Sequence, residues 1–264
     1  MAIEQLAGKA SEAWSDSTEV LSTQEPQETE ARNSNDSRAG LVPEFGFDLA
    51  SNPFGHYCIP HDMAETAEAK AICEASVYEP GTVQLISQKL SRGDIVTGCL
   101  GIGSFLPALH NALAPNAMIH AFEPSETAFA AASFTSRLND LERVNLHKVV
   151  AGKRSRAMPY SRLKTLNLDQ APDLPIQMKT LDSLVPQGRY ISVVHLSIPG
   201  RQIQALLGAR RIVQDSAPLI LMKTPDEKTR RFQTTCLEAH FPELRYQFAG
   251  GMDGNSVYLP LNRI

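Results

Sequence analysis

GDIVTGCLGIGSFLPALHNALAPNAMIHAFEP, residues 93–124, sets the reading of the whole chain. Asp94 opens a short apolar run to Thr97 that suits a buried strand, and Gly98, Gly101 and Gly103 follow in a tight loop. Phe105, Leu106, Leu109 and Leu113 then recur at helical spacing, and Met118–Phe122 forms a second apolar run that ends on Glu123. The order is strand, glycine loop, helix, strand, acid. Glycines allow a sharp turn and let a ligand approach the backbone N–H groups. The helix N-terminus favours anionic groups. A carboxylate at the tip of the second strand can accept hydrogen bonds from both hydroxyls of a ribose. The pattern therefore reads as a nucleoside-cofactor site, one that dinucleotide enzymes and methyltransferases share.

Outward from this unit, strands and helices keep alternating. Residues 125–138 read as a helix, 144–150 as a strand, 152–175 as a polar excursion with hairpin character, and 177–180 as a short strand. A β-branched strand spans 191–198, and residues 201–214 read as one helix. A strand at 218–222, a helix at 227–240 and two strands at 244–248 and 256–259, joined by GGMDGN, complete the chain. This alternation predicts an α/β fold: a doubly wound, mostly parallel sheet with helices on both faces and an antiparallel pair at one edge. On the N-terminal side, residues 62–78 and 80–90 read as two helices placed to lid the cofactor pocket, while 41–60 reads as irregular. Within it, HYCIPHD gathers His56, Cys58, His61 and Asp62, but their spacing matches no zinc pattern, so no metal site is assigned.

The formal net charge of −4 is unevenly spread. The first 40 residues carry eight acids and three bases, leaving 21 acids and 22 bases beyond them. The near-neutral remainder has no basic patch that would argue for nucleic acid. Residues 1–40, rich in Ser, Thr, Gln and Glu, cannot bury enough apolar surface to offset their ordering entropy and read as a disordered tail. The chain thus divides into that tail, a helical lid segment (41–92) and the α/β domain (93–264). Four cysteines without a CxxC pair, no signal peptide and no apolar run of membrane-spanning length suit a cytoplasmic protein with reduced thiols.

TGCLGIG (97–103) resembles the glycine loop of short-chain dehydrogenases, and Tyr160 and Lys164 supply a YxxxK pair. In that family the Tyr is a general acid and the Lys lowers its pKa. Here the pair follows the loop too closely for that fold, so an NAD(P)-dependent oxidoreductase is the weaker alternative.

A second resemblance covers far more of the chain. From Tyr78 to Leu259 the sequence resembles the FkbM family of S-adenosylmethionine-dependent methyltransferases. YEPGTVQLI (78–86), GDIVTGCLGIGSFLPAL (93–109), HAFEPSETAF (120–129), LNDLERVNL (138–146), TLDSLV (180–185), HLSIPGRQIQALLGARRIV (195–213), APLILMK (217–223) and NSVYLP (255–260) occur in the family's order. The resemblance implies a Rossmann-like class I methyltransferase fold, S-adenosyl-L-methionine as cofactor, and O-methylation of a sugar, glycoconjugate or secondary metabolite. It implies cofactor contacts from Gly98, Gly101 and Gly103 near the methionine moiety. Glu123 would grip the ribose, Pro124 and Ser125 would shape the adenine side, and Glu79 would stand at the pocket mouth.

The departures are equally specific. The family places an acid before the first glycine and a run of three carboxylates after the fourth strand. This chain has Thr97 in the first position, and Ser197, Ile198, Pro199, Gly200, Arg201 and Gln202 in the second. The acceptor side is therefore altered, which raises a catalytically impaired binding protein as an alternative. No catalytic residue is assigned. His195 is the nearest base, although its place in a buried strand favours a structural histidine.

Overall fold

The computed structural model describes residues 45–262, apart from Ser91, Cys99, 160–174 and Pro199. The expectations for the 1–40 tail and for Tyr160 and Lys164 lie outside the described residues. The first elements are a hairpin, β1 (Phe47–Asn52) and β2 (Gly55–Pro60), and the helices α1 (Ala67–Cys73) and α2 (Pro80–Ser87). Then come β3 (Asp94–Gly98), α3 (Leu106–Ala112), β4 (Ile119–Phe122), α4 (Glu126–Leu138) and β5 (Val144–His147). A small excursion holds β6 (Val150–Ala151), β7 (Arg156–Pro159) and β8 (Pro175–Lys179). After it follow α5 (Leu181–Leu184), β9 (Ile191–Leu196), α6 (Gln202–Leu207), α7 (Arg210–Ser216), β10 (Leu219–Lys223) and α8 (Glu227–His240). The hairpin β11 (Tyr246–Met252) and β12 (Asn255–Pro260) is last.

Seven strands form the central sheet in the order β11-β12-β10-β9-β3-β4-β5. β5, β4, β3, β9 and β10 run parallel, and β12 turns antiparallel to β10 and β11. The central strands are buried on both faces: all five residues of β3 lie inside. That is why they read as continuous apolar runs rather than alternations. Alternate residues feed two cores. Val96, Val194 and Ile220 face Leu206, Ile212 and Leu237 of α6–α8. Ile95, Val193 and Leu221 face Val83, Ile86, Leu106 and Leu109 of α2 and α3.

Two stretches depart from the sequence reading. The irregular 41–60 stretch, within a segment expected to be helical, instead holds the β1–β2 hairpin, with Phe47 opposite Pro60 and Asn52 opposite Gly55. Asn52 sets the turn by accepting from the Phe54 amide at 2.9 Å. The free edge of β2 is completed by side chains of α4. Cys58 N donates to Thr135 Oγ1 (3.1 Å), and Asn139 accepts from His56 N (2.8 Å) while donating to His56 O (2.6 Å). Tyr57–Pro60 are buried consecutively, which erases the period of two that announces a strand. Among the described residues no group of three metal-ligating side chains forms, and His56 instead pairs with Ser51.

The helix expected over 201–214 is two, α6 and α7. A Cβ on Gly208 would stand 2.1 Å from the carbonyl oxygen of Gly152, so the backbones of β6's neighbour and the helix touch there. The new helix start is capped from a distance: Asp182 accepts from Arg211 N (2.9 Å) and Ile212 N (3.0 Å). No helix among the described residues is long and apolar enough to cross a membrane.

At its N-terminal end β3 is anchored by Asp94, which is 2% exposed. It accepts from Met118 N (2.9 Å), His120 Nε2 (2.9 Å) and Arg189 Nε (2.7 Å), with a second bond from Arg189 Nη2. Burial alone would raise this carboxyl; the bonds from His120 and Arg189 outweigh it and hold the pKa below the ordinary 3.8. Asp94→Ala strands a buried histidine and an arginine, and is expected to cost about 3–5 kcal/mol at neutral pH, read by urea denaturation. Because the folded pKa is depressed, the wild-type advantage is present above 3.8 and shrinks as the pH falls below it. An advantage that does not change across that range would refute the assignment.

Candidate functional site at the glycine loop

The sheet order reverses beside β3, where the chain passes to β4 on one side and β9 on the other. A crevice opens at the C-terminal ends of parallel strands at such a point. The loop after β3 fills it. Gly103 N bonds Leu100 O (2.9 Å) and Leu106 N bonds Gly103 O (3.0 Å), making two successive tight turns into α3. Gly101 (φ 52°) and Gly103 (φ 82°) are left-handed, which the absence of a Cβ permits without strain. Gly98 answers a different demand. A Cβ there would lie 1.8 Å from Cζ of Phe122, so this glycine makes room for the aromatic ring of the next strand.

Tight turns leave amides pointing inward, and two carboxylates receive them. Glu123, just beyond β4 and 5% exposed, accepts from Gly101 N (3.1 Å) through Oε2 and from Ser125 N (3.0 Å) through Oε1. Burial is the main influence on its pKa, which is pushed up to about 7 against the pull of those two amides; the nearby Glu68 adds to the rise. Glu68 is the residue that sequence reasoning missed. It stands in the second position of α1, 34 residues before its first partner, and accepts from Ile102 N (3.3 Å) and Ser104 N (3.1 Å). No local spacing signals such a contact. Its carboxyl is also raised, first by enclosure and least by Glu79.

Glu79 lies at the edge of the same pocket in a left-handed conformation (φ 47°) that a non-glycine residue rarely adopts. Its carboxylate pairs with Lys223 Nζ and accepts from Asn255 Nδ2 at 2.9 Å. Asp253 accepts from Thr82 N (2.7 Å), so the turn between β11 and β12 caps the N-terminus of α2. These contacts latch α2 to the end of β10 and hold the strained residue in place.

Glu68, Glu79, Thr97, Ser104, Phe105 and His195 line a cavity of about 40 Å³. Small-molecule sites occupy roughly 300–1,000 Å³, so the site is closed in this conformation. His195 is 3% exposed and stacks on Phe105 (5.7 Å, 18° between ring planes). Its Nδ1 pairs with Thr97 Oγ1 at 3.0 Å, while Nε2 is buried without a hydrogen-bond partner. Burial drives its pKa down to about 4, so the ring is neutral at pH 7.

Of the expected cofactor residues, Glu79 and Gly98 line this cavity, while Gly101 and Glu123 meet beside it through their hydrogen bond and Gly103 turns the loop into α3. Pro124 is buried beside them. Ser125 caps α4 by accepting from Ala128 N (3.1 Å), which commits its hydroxyl to the helix. Ser197 lines the cavity where the resembled family carries an acid.

No protein-family model matches the chain, and no curated protein matches it. Solved structures do. The chain is similar to the methyltransferase FkbM from Methylobacillus flagellatus KT, with 16% identity and a TM-score of 0.50 over 63% of this chain. It spans only 43% of that protein's length. Weaker likenesses include precorrin-6y C5,15-methyltransferase from Geobacter metallireducens GS-15 (12% identity, TM-score 0.45, 71% of this chain and 94% of that one). Another is the Pyrococcus abyssi tRNA (uracil-54, C5)-methyltransferase in complex with S-adenosyl-L-homocysteine (13%, 0.42, 81% and 43%). With the sheet order, the first of these establishes a Rossmann-like class I methyltransferase fold.

The raised pKa of Glu123 has a signed consequence. Between 4.5 and about 7 the unfolded chain ionises this group while the folded chain keeps it protonated, so its contribution falls as the pH rises. His195, lowered from 6.5 to about 4, contributes with the opposite slope between those values. In Glu123→Gln the first dependence is removed. The stability difference between wild type and variant is expected to drop by up to about 3 kcal/mol from pH 4.5 to pH 7, measured by denaturant titration at each pH. A difference that is flat across the window would show that Glu123 ionises normally.

Proposed function

We propose that this protein is an S-adenosylmethionine-dependent methyltransferase acting on a hydroxyl of a sugar, glycoconjugate or secondary metabolite. The observation that carries the reading is Glu123 at the switch point, hydrogen-bonded into the glycine loop. Its two carboxyl oxygens, held by amides of the loop and of Ser125, retain acceptor capacity for a ribose hydroxyl. The donor chemistry fits the group. Loop amides suit its carboxylate, the acids Glu68 and Glu79 suit its ammonium and sulfonium charges, and a neutral His195 adds no repelling cation. When bound, S-adenosylmethionine supplies an electrophilic methyl group on a positively charged sulfur.

The chain's own contribution is binding, orientation and one proton. Glu123 holds the ribose, the glycine loop lies along the methionine end, and Glu79 with Lys223 frames the pocket mouth. We assign the hydroxyl proton to Nε2 of His195, a residue of the cavity lining whose Nε2 has no hydrogen-bond partner. With a pKa near 4 the imidazole is a weak base towards a free alcohol. A hydroxyl oxygen that is gaining a carbon bond becomes far more acidic, so a weak, neutral base suffices late in the transfer. Thr97, paired with Nδ1, orients the ring. The absence of carboxylates at 197–202 favours a second reading, a protein that binds the nucleoside without turnover.

Calorimetry with S-adenosylmethionine and S-adenosylhomocysteine tests the first step. Both are expected to bind, and Glu123→Ala to weaken both by about tenfold or more, as loss of a charge-assisted ribose contact implies. No heat at millimolar ligand would sink the proposal. A screen of hydroxylated acceptors with labelled methyl donor separates the two readings. In the positive case His195→Phe is expected to lower kcat by roughly 10²–10⁴-fold with nucleoside affinity retained. Unchanged kcat would remove His195 from the chemistry, and binding without any methyl transfer would favour the second reading.

A further inference from the structure

The glycine loop already holds a carboxyl group. The Glu68 carboxylate accepts from Ile102 N (3.3 Å) and Ser104 N (3.1 Å), and its Oε2 lies 2.0 Å from where a Cβ on Gly101 would stand. Successive inward amides at a strand-to-helix turn are a cradle for a carboxylate or phosphate oxygen. Here the oxygen comes from the protein. The helix that brings it is fixed by Ala69 and Ile72, both fully buried against the β1–β2 hairpin and α4. Glu68 itself is half-buried as a residue, and its side chain ends in the loop rather than in that apolar packing. Its position carries an electrostatic cost. Glu68 raises the proton affinity of Glu123, and Glu79 raises that of Glu68.

We infer that Glu68 is an internal substitute for a ligand carboxylate, occupying the amides of Ile102 and Ser104 in the free protein and yielding them to a ligand that brings its own. This rests on the reading given under Proposed function, and it adds a selection rule. The loop accepts a nucleoside bearing an amino-acid tail on terms that a nucleoside without one does not share. The tail must displace Glu68, so the apparent affinity of a carboxylate-bearing ligand is reduced by the fraction of molecules in which Glu68 occupies the cradle. The cavity of about 40 Å³ is the closed state that this exchange opens.

Two probes separate the contributions: S-adenosylhomocysteine, which has the carboxylate, and 5′-methylthioadenosine, which lacks it. In Glu68→Ala, S-adenosylhomocysteine is expected to bind about tenfold more tightly, with 5′-methylthioadenosine unchanged within about threefold. Glu68→Gln keeps one carbonyl acceptor for the loop, so it should fold where Glu68→Ala does not, and is expected to show a smaller gain in the same direction. Hydrogen exchange supplies a readout free of ligand. The Ile102 and Ser104 amides should exchange about tenfold faster in Glu68→Ala than in wild type. Unaltered exchange at both amides would overturn the inference. So would unaltered or weakened S-adenosylhomocysteine binding beside normal 5′-methylthioadenosine binding, and that result would leave the methyltransferase reading standing. Failure of both nucleosides to bind any variant would overturn the inference and that reading together.

Discussion

A backbone that turns twice in eight residues cannot satisfy its own amides, and a buried amide without an acceptor is costly. The segment from Gly98 to Phe105 faces this constraint at the centre of the sheet. The solution is two carboxylates from outside the loop. Glu123 reaches Gly101 from the next strand, and Glu68 reaches Ile102 and Ser104 from a helix some thirty residues upstream. These contacts tie α1 and the end of β4 to the same loop.

The same solution creates a charge problem. Glu68, Glu79 and Glu123 converge on a small volume, and two of them are raised above the usual carboxylate range. Lys223 compensates one of the three, drawing Glu79 towards the end of β10. His195 gives no help at neutral pH because burial keeps it uncharged. The raised proton affinity of Glu68 and Glu123 relieves part of that crowding by favouring their neutral forms. Asp94 shows the contrasting case at the other end of β3. There a histidine, an arginine and an amide meet one acid, and the result is a closed, stabilising cluster.

Legibility followed sequence separation. The unit from Gly93 to Pro124 was readable because its logic is local: a strand's apolar run, glycines where φ turns positive, helical spacing, then an acid at a strand tip. Gly101 and Glu123 belong to that unit, although the hydrogen bond that joins them was not part of the pattern. The β1–β2 hairpin was not readable, because its edge is completed by Thr135 and Asn139 of α4, far along the chain. The split between α6 and α7 was hidden for the same reason: Asp182 and Gly152 act on it from other elements. Gly98 was legible as a requirement but not for its cause, since the ring of Phe122 claims the space.

The sequence by itself determined the alternation of strands and helices, and with it a parallel sheet whose order reverses beside the glycine loop. It also determined the acid that follows β4, because each depends on neighbours within a few turns of chain. Tertiary structure alone decided that Glu68 enters the loop, that Glu79 is latched by Lys223 and Asn255, and that His195 lines the cavity with its Nε2 buried and unpartnered. Those outcomes depend on which surfaces pack together. Hydrogen-bond direction and the loss of water around a charge are set by packing, and neither leaves a period or a spacing in the sequence.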